Sequence, residues 1–399
     1  MAPYARLFTA LALLSVIRAD LDNPAKVDPI IVGPPTEPNA TTTRESTSAS
    51  TPSPSDAPTP STTPTETTTD TTTTETTSPG SSATNSSNTA PTRLSNWAVK
   101  KTYQGNDFYN GFEFVTFDDP TKGRTNYLDQ QTAKNRGLAW VNNGQFGMAV
   151  DSTNVVDPSA RGRDSVRIQS HDYFAGDMLV IADIAHMPEG CSTWPAFWTI
   201  GTGEWPSGGE IDIIEGNNDL STNLITVHTG NDAQCTMPWK SGEVNPDLYT
   251  ATPKASTCDG AAGCNFVSTD SASFGPGLNA AGGGYYILRR TSEYIAAWFY
   301  PRTAEVPDIV SNPGDTFDET QLGTMTAYFP NTNCDLANDL TEQQLIFNIA
   351  MCGGWAESGW AASPCKSQWG DCSDYVNNHP EGFKDAYWLI NGVRVYGTS

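Results

Sequence analysis

Residues 208–216 read Gly-Gly-Glu-Ile-Asp-Ile-Ile-Glu-Gly, a stretch in which three carboxylates are interleaved with isoleucine. Side chains alternate between the two faces of a β-strand, so Glu210 and Asp212 share one face and the isoleucines that follow them point to the other. A regular strand would put Glu215 on the isoleucine face. One inserted residue, a β-bulge, returns Glu215 to the acidic face, and bulges are frequent beside active sites. The stretch therefore predicts a bulged, half-buried strand.

Three carboxylates on one face repel one another, which raises the pKa of at least one group while another stays ionised. Retaining glycoside hydrolysis needs both states, because it uses a carboxylate nucleophile and a protonated acid about 5–5.5 Å apart. An exposed acidic strand without function and a calcium site are the alternatives. Calcium takes 6–8 oxygens on a flexible loop, which the isoleucine alternation of a rigid strand does not resemble.

Aromatic residues surround this acidic stretch. Trp194 and Trp198 face the same way if their segment is extended, and Trp205 follows shortly before the acids. A flat, exposed tryptophan is a natural surface for a sugar ring, although core packing is the commoner role of a single tryptophan. Downstream, His228 is expected on a neighbouring strand, where a lone histidine is more often structural than functional.

The rest of the chain is rich in short apolar and aromatic runs separated by Gly, Pro, Asn and Asp. Such runs predict many short strands and therefore an all-β sandwich or barrel. They are Met178–Ile184, Ile211–Ile214, Tyr285–Leu288, Tyr294–Tyr300, Leu345–Met351, Ala386–Ile390 and Val393–Tyr396. No apolar pattern of helical period extends beyond one or two turns.

Composition divides the chain into three parts. Residues 1–19 have a basic start, an apolar run and a small residue before a cut, which predicts a secretory signal and an extracellular or cell-wall location. Residues 20–93 are predicted to be a disordered, O-glycosylated linker, since positions 41–92 hold 21 Thr, 11 Ser and 7 Pro. Residues 94–399 hold all 11 Trp and form the predicted globular domain. No run is long enough to span a membrane.

Charge and cysteine usage exclude several classes of partner. With 22 Lys and Arg against 45 Asp and Glu, the net charge is −23, which argues against binding nucleic acid. All eight cysteines fall in the predicted domain, and secretion favours disulfides, with 105 possible pairings and room for one or two free thiols. The cysteine spacing does not fit a zinc site. The sequence also has no phosphate-binding Gly-rich loop before a helix, so neither a metal nor a cofactor is predicted.

The residues resemble those of glycoside hydrolase family 16, and within it the secreted fungal endo-β-1,3(4)-glucanases of the laminarinase type. The resemblance spans about Leu94 to Ser399. It rests on the acidic stretch and on four further segments: 190–196 (Gly-Cys-Ser-Thr-Trp-Pro-Ala), His228-Thr229-Gly230, 329–335 (Phe-Pro-Asn-Thr-Asn-Cys-Asp), and Ala386-Tyr387-Trp388 with Val393-Arg394-Val395-Tyr396.

The resemblance implies a β-jelly-roll sandwich with a substrate cleft on its concave face. It implies Glu210 as the nucleophile, Glu215 as the general acid/base and Asp212 as the assisting carboxylate. The positions implied to line the glucan cleft are Trp194, Trp198, Trp205, His228, Trp355 and Arg167. The expected partner is a β-glucan, bound by a monomer without a cofactor.

Two other functions stay open at this point. A cell-wall glucan transglycosylase would use the same intermediate with a sugar hydroxyl in place of water. A non-catalytic glucan-binding protein could be built on the same scaffold, but loss of either glutamate would be expected in that case.

Overall fold

The computed structural model describes residues 91–398. The predicted secretory signal and residues 20–90 of the predicted linker lie outside this range. Within it, the chain is built from strands that are mostly short, as the punctuated apolar runs predict, and its longest helix has nine residues.

The strands are β1 (Trp97–Tyr103), β2 (Phe112–Phe114), β3 (Thr125–Tyr127), β4 (Ala139–Asn142), β5 (Gln145–Ala149), β6 (Arg163–Ser165), β7 (Arg167–Ser170), β8 (Met178–His186), β9 (Thr193–Gly201), β10 (Glu210–Glu215), β11 (Leu224–His228), β12 (Thr252–Pro253), β13 (Cys264–Val267), β14 (Gly284–Arg290), β15 (Tyr294–Pro301), β16 (Thr316–Phe317), β17 (Ala327–Pro330), β18 (Gln343–Met351) and β19 (Tyr387–Thr398).

The helices are short and connect or flank the strands. They are α1 (Asp107–Gly111), α2 (Gln130–Asn135), α3 (Gly275–Ala280), α4 (Asp308–Ser311), α5 (Leu336–Asp339), α6 (Gly354–Ala362), α7 (Pro364–Trp369) and α8 (Cys372–Asn378), with 3-10 turns at Gly260–Ala262, Glu319–Gln321 and Pro380–Phe383. No helix in residues 91–398 combines the length and the apolar character needed to cross a bilayer.

Residues 91–398 contain two large antiparallel sheets. The first has nine strands in the order β16-β1-β19-β8-β14-β15-β17, with β5 paired to β19 and β4 to β5. The second has eight strands in the order β12-β13-β11-β10-β9-β18-β7-β2, and β3 and β6 form a small parallel pair. Strand β10, which carries the acidic stretch, is an interior strand of the eight-stranded sheet.

The core lies between the two large sheets. Phe347 of β18 stacks on Phe197 of β9, with ring centroids 4.1 Å apart, and meets Trp388 of β19 edge-on at 5.5 Å. Because Trp388 belongs to the nine-stranded sheet, these aromatic contacts join the two layers. A second buried cluster, which includes Trp97 and Trp298, lies apart from this main core. The outward face of the eight-stranded sheet is left for the site.

Two runs that the sequence predicts as separate strands form a single strand in the structure. The runs 386–390 and 393–396 both belong to β19, since Asn391-Gly392 is accommodated as an irregularity in the pairing with β8 and not as a turn. A residue just before the predicted boundary at Leu94 also contacts the domain. The carbonyl of Thr92 accepts hydrogen bonds from Arg289 and from the Tyr294 hydroxyl, each 2.9 Å long.

All eight cysteines are paired. The disulfides are Cys191–Cys365, Cys235–Cys334, Cys258–Cys264 and Cys352–Cys372. The prediction of disulfides is confirmed, and none of the free thiols that the sequence allowed is present among these cysteines.

Candidate active site

The bulge predicted in the acidic strand is present in β10. Asp212 lies opposite Trp198 of β9, but the next paired residue is Ile214, so the register shifts by one residue. On the other side the pairing with β11 is interrupted between Asp212 and Glu215. Ile211, Ile213 and Ile214 are all buried in the core. Since neither isoleucine of the bulge turns outward, Glu215 is returned to the face of Glu210.

The side chain of Asn223, just before β11, holds the bulge together. Its oxygen accepts the backbone N–H of Glu215 over 2.9 Å, and its nitrogen donates to the carbonyl of Ile213 over 2.8 Å. Both backbone groups lie where the pairing between β10 and β11 is interrupted. The Asn223 side chain that bonds them is buried, since the residue is 2% exposed. Asn223 therefore supplies bonds that the interrupted strand pairing does not.

Cross-strand pairing sets the neighbours of each acid. Glu210 lies opposite Ile200 on one side and His228 on the other, and Asp212 lies between Trp198 and Thr226. Glu215 lies opposite Ala196 of β9. Side chains directly opposite one another on antiparallel strands are in contact range. The acids thus lie among the tryptophan and histidine positions that the sequence singled out.

Each glutamate accepts a hydrogen bond from a different indole. The Trp205 Nε1–H donates to Glu210 Oε2 over 2.9 Å, and the Trp194 Nε1–H donates to Glu215 Oε1 over 2.9 Å. Trp205 lies in the loop between β9 and β10 and is 45% exposed. The two carboxyls are therefore oriented by rigid donors, one from a strand and one from a loop.

Asp212 and His228 form the buried side of the site. His228 Nε2 lies 3.3 Å from Asp212 Oδ2 and 3.9 Å from Glu210 Oε1. The other ring nitrogen, Nδ1, lies 2.9 Å from the carbonyl oxygen of Gly260. A carbonyl can only accept a hydrogen bond, so Nδ1 carries the hydrogen and a neutral His228 presents a lone pair at Nε2.

Burial raises the pKa of all three carboxyls. It brings the pKa of Asp212 to about 8. Burial first, and then the charge of Asp212, bring the pKa of Glu215 to about 8. The pKa of Glu210 is raised well above its usual value by burial and by Asp212. The indole hydrogen bonds oppose these shifts because they stabilise the charged forms. Groups that interact this closely lose their protons in separate steps.

The remaining cleft positions extend the site along the sheet. The guanidinium of Arg167 lies 4.9 Å from the ring centre of Trp198, whose Nε1–H donates to Asn348 over 2.8 Å. On α6, Trp355 meets Trp194 edge-on, with centroids 5.7 Å apart. Trp194 and Trp198 are both half-exposed, as expected for a shared outward face.

The structure thus brings together all nine residues singled out in the sequence. They are Glu210, Asp212, Glu215, Trp194, Trp198, Trp205, His228, Trp355 and Arg167. Their individual roles stay predictions. Two residues that hold the site were missed: Asn223, which bonds the bulge, and Asn348, which orients Trp198. Neither lies in a recognisable motif. Asn348 is 150 residues from Trp198 in the sequence, and Asn223 bonds the bulge from the end of the loop before β11.

Known proteins are similar to this chain over most of the domain. The family model described as an XgeA-like, catalytic GH16 domain matches residues 112–396. A probable endo-1,3(4)-β-glucanase of Aspergillus fumigatus is 36% identical over 323 residues, which are 79% of this chain and 48% of that protein. The chain therefore spans about half the length of this relative.

Two solved structures share the fold. A GH16 laminarinase of Phanerochaete chrysosporium, with β-glucans in its donor and acceptor sites, is 39% identical and has a TM-score of 0.69. The match covers 75% of this chain and 99% of that one. An elongating GH16 β-1,3-glucosyltransferase is 38% identical, with a TM-score of 0.68 and coverage of 75% and 99%.

These matches confirm the predicted β-jelly-roll sandwich and the expected family. The matched residues 112–396 include the three acids and the two indoles that donate to the glutamates. The chain belongs to glycoside hydrolase family 16 and is a glycoside hydrolase.

Proposed function

We propose that the protein is a secreted, retaining endo-β-1,3(4)-glucanase that hydrolyses laminarin-type β-1,3-glucans and mixed-linkage β-glucans. The observation that carries the proposal is the bulge in β10, which leaves Glu210 and Glu215 on one outward face with Asp212 between them. The named activity of the Aspergillus relative and the glucans bound in the Phanerochaete laminarinase support the same class of substrate.

In the first half of the reaction, a Glu210 carboxylate oxygen attacks the anomeric carbon. The bond from that carbon to the glycosidic oxygen breaks, and the protonated Glu215 gives its proton to the departing oxygen. The products of this step are a shortened glucan and a glucosyl ester on Glu210.

In the second half, water enters from the side that the departing glucan has left. Glu215, now a carboxylate, takes a proton from the water as its oxygen attacks the anomeric carbon, and the Glu210 ester is released. Two inversions at the same carbon leave the β configuration unchanged. Glu215 recovers its proton, so each cycle consumes one water and restores both glutamates.

Protonation states follow from the surroundings of each acid. Glu215 stays protonated at neutral pH because burial and Asp212 raise its pKa to about 8. Glu210 has the more exposed side chain, at 14% against 4% for Asp212, and its charge is stabilised by the hydrogen bond from the Trp205 indole. We therefore assign the first ionisation of the cluster to Glu210, as a nucleophile requires.

Asp212 is assigned the role of an assisting group. It lies beside both glutamates in the strand, and its carboxyl is 3.3 Å from His228 Nε2. As the charge on Glu210 is lost in the ester, the repulsion that Asp212 experiences falls, and its own ionisation becomes easier. Its charge can then stabilise the cationic sugar carbon as the ester bond breaks.

Sugar binding is assigned to the aromatic residues on either side of the acids. Trp194, Trp198 and Trp355 offer ring faces or edges, and Arg167 contributes a guanidinium beside Trp198. Export from the cell is supported by the signal-like residues 1–19 and by the four disulfides, which form in oxidising compartments.

Transglycosylation is a second candidate because a GH16 glucosyltransferase shares this fold at 38% identity. The two reactions differ only in whether water or a sugar hydroxyl attacks the Glu210 ester. Products longer than the substrate would identify the transferase.

The test is to incubate purified full-length protein with laminarin, lichenan and β-1,6-glucan and to follow products by chromatography and proton NMR. We expect shortened β-1,3 and mixed-linkage products that appear first as the β-anomer. Glu210→Gln serves as the inactive control. Initial α-anomer would refute retention, and binding without any product would indicate a non-catalytic glucan-binding protein.

A further inference from the structure

Three side chains at one end of the acidic face bring their free atoms close together. Glu210 Oε1, Asp212 Oδ2 and His228 Nε2 all lie within 4.8 Å of one another. The two measured pairs that include the imidazole are 3.3 Å and 3.9 Å apart. All three side chains are at most 14% exposed. In residues 91–398, the other clusters of metal-binding residue types each contain disulfide-bonded cysteines, which have no thiolate to offer.

These three atoms have lone pairs available to bind a cation. Asp212 Oδ2 is buried without a hydrogen-bond partner, and Asp212 as a whole is 2% exposed. Glu210 uses Oε2 for the Trp205 indole, which leaves Oε1 free on the side of the histidine. The carbonyl of Gly260 binds His228 Nδ1 and so keeps the lone pair on Nε2. One nitrogen and two oxygens thus converge on one point, and among them Asp212 Oδ2 is buried without a hydrogen-bond partner.

The two separations that involve His228 are close to those around a small tetrahedral cation. Zinc binds histidine nitrogen at about 2.0–2.1 Å and carboxylate oxygen at about 2.0–2.2 Å, so neighbouring tetrahedral ligand atoms lie ~3.4 Å apart. The His228–Asp212 pair has this spacing at 3.3 Å, and the His228–Glu210 pair needs to close by only part of an ångström from 3.9 Å. Calcium and magnesium prefer more ligands, all of them oxygens.

The surroundings also resemble those of a metal site. A metal-bound histidine usually donates its other ring N–H to a carbonyl or carboxylate, as His228 does to Gly260. Three protein ligands with the fourth position open is the arrangement of zinc sites that bind an exchangeable ligand. Here the fourth position would be on the outward face of the sheet.

We propose that Glu210, Asp212 and His228 form a zinc-binding site that inhibits the enzyme. Its consequence for activity rests on the proposed function, because Glu210 is the proposed nucleophile and cannot attack a sugar while it is bound to a cation. Zinc and glucan therefore compete for the site, and removal of the ion restores the free carboxylate.

Calorimetric titration of the full-length protein with zinc chloride alone tests the binding. We expect one zinc per chain, with calcium and magnesium chloride giving no heat of binding under the same conditions. His228→Ala and Asp212→Asn should each weaken zinc binding about tenfold or more. His379→Ala, which removes a more exposed imidazole beside Glu381, is the matched control and should bind zinc as the wild type does. Thermal unfolding verifies that each variant is folded.

Inhibition is measured separately, as laminarin hydrolysis against zinc concentration. We expect inhibition that rises with zinc, falls with added laminarin and is reversed by EDTA. No zinc binding by the wild type, or unchanged binding in both cleft variants, would overturn the site. Zinc binding by a protein that hydrolyses no glucan would instead overturn the proposed function and leave the site standing.

Discussion

Asn223 holds Glu215 in the cleft through the backbone, not through the carboxyl group. Its side-chain oxygen accepts the Glu215 N–H, while its side-chain nitrogen donates to the Ile213 carbonyl on the other side of the bulged residue. The backbone N–H of Asn223 itself donates a hydrogen bond to Ser273 Oγ over 3.0 Å. A buried amide fixed in this way sets the direction in which Glu215 leaves the strand.

We predict that Asn223→Ala loosens this geometry. The variant leaves two buried backbone groups without partners, at a cost of about 1–3 kcal/mol each. A displacement of Glu215 by about 1 Å should lower kcat about 100-fold. Activity on laminarin and chemical denaturation measure the two effects. Asn338→Ala, which removes an exposed amide, is the control. Wild-type turnover and stability in Asn223→Ala would show that the ladder alone holds the bulge.

The roles of the two glutamates predict different defects. Glu210→Gln removes the nucleophile, so turnover of every glucoside substrate should fall by several orders of magnitude while oligosaccharide binding persists. Glu215→Gln removes the proton donor, so activity should partly return with aryl glucosides, whose leaving group needs no proton. Steady-state kinetics on laminarin and on an aryl laminarioside distinguish the two. Near-normal laminarin hydrolysis by Glu215→Gln would contradict the assignment.

The indole hydrogen bond to Glu215 predicts a shift in pH dependence. The Trp194 N–H stabilises the ionised carboxyl and so lowers its pKa, which burial has raised to about 8. Trp194→Phe removes this donor, the pKa rises further, and the loss of activity at alkaline pH should move to higher pH. The profile of kcat/KM against pH measures this limb. Trp198→Phe removes an indole that donates to Asn348 and should leave the limb in place.

The raised carboxyl pKa values also predict how stability depends on pH. A group whose pKa is higher in the folded than in the unfolded protein stabilises the fold below its unfolded pKa, and this contribution is lost as pH rises through the folded value. For Glu215 this contribution is lost over the pH range from about 4.5 to about 8. Glu215→Gln should therefore unfold a few degrees above the wild type at pH 8, with a smaller difference at pH 5. Thermal scans at both pH values measure it, and an equal difference at both would contradict the shift.

Truncation locates the start of the folded domain. Removing residues 20–91 keeps Thr92, whose carbonyl bonds Arg289 and Tyr294, and should leave the melting temperature and turnover on soluble glucan unchanged. Removing residues 20–93 also deletes these bonds and leaves the buried Arg289 with fewer partners, so we expect the free energy of unfolding to fall by about 1–3 kcal/mol. A large loss in the shorter deletion would show that the linker packs on the domain.

Much of the site could be predicted because its determinants are local. Alternation along a strand is a property of consecutive residues, so Glu210 and Asp212 could be assigned to one face directly. Glu215 would lie on the opposite face of a regular strand, so a bulge was predicted from the requirement that all three acids share one face. The single strand β19 shows the limit of this reasoning, because Asn391-Gly392 is typical of a turn but is held in the sheet by pairing with β8.

Residue order alone was enough to predict an all-β domain, eight cysteines suited to disulfides, and three acids on one bulged strand. The folded chain was needed to show which cysteines pair, that Asn223 holds the bulge, that Trp205 and Trp194 each bond a different glutamate, and that His228 faces Asp212. The first set of features depends on neighbours along the chain. The second depends on contacts between distant segments, whose distances are set by the packing of the two sheets and the loops that join them.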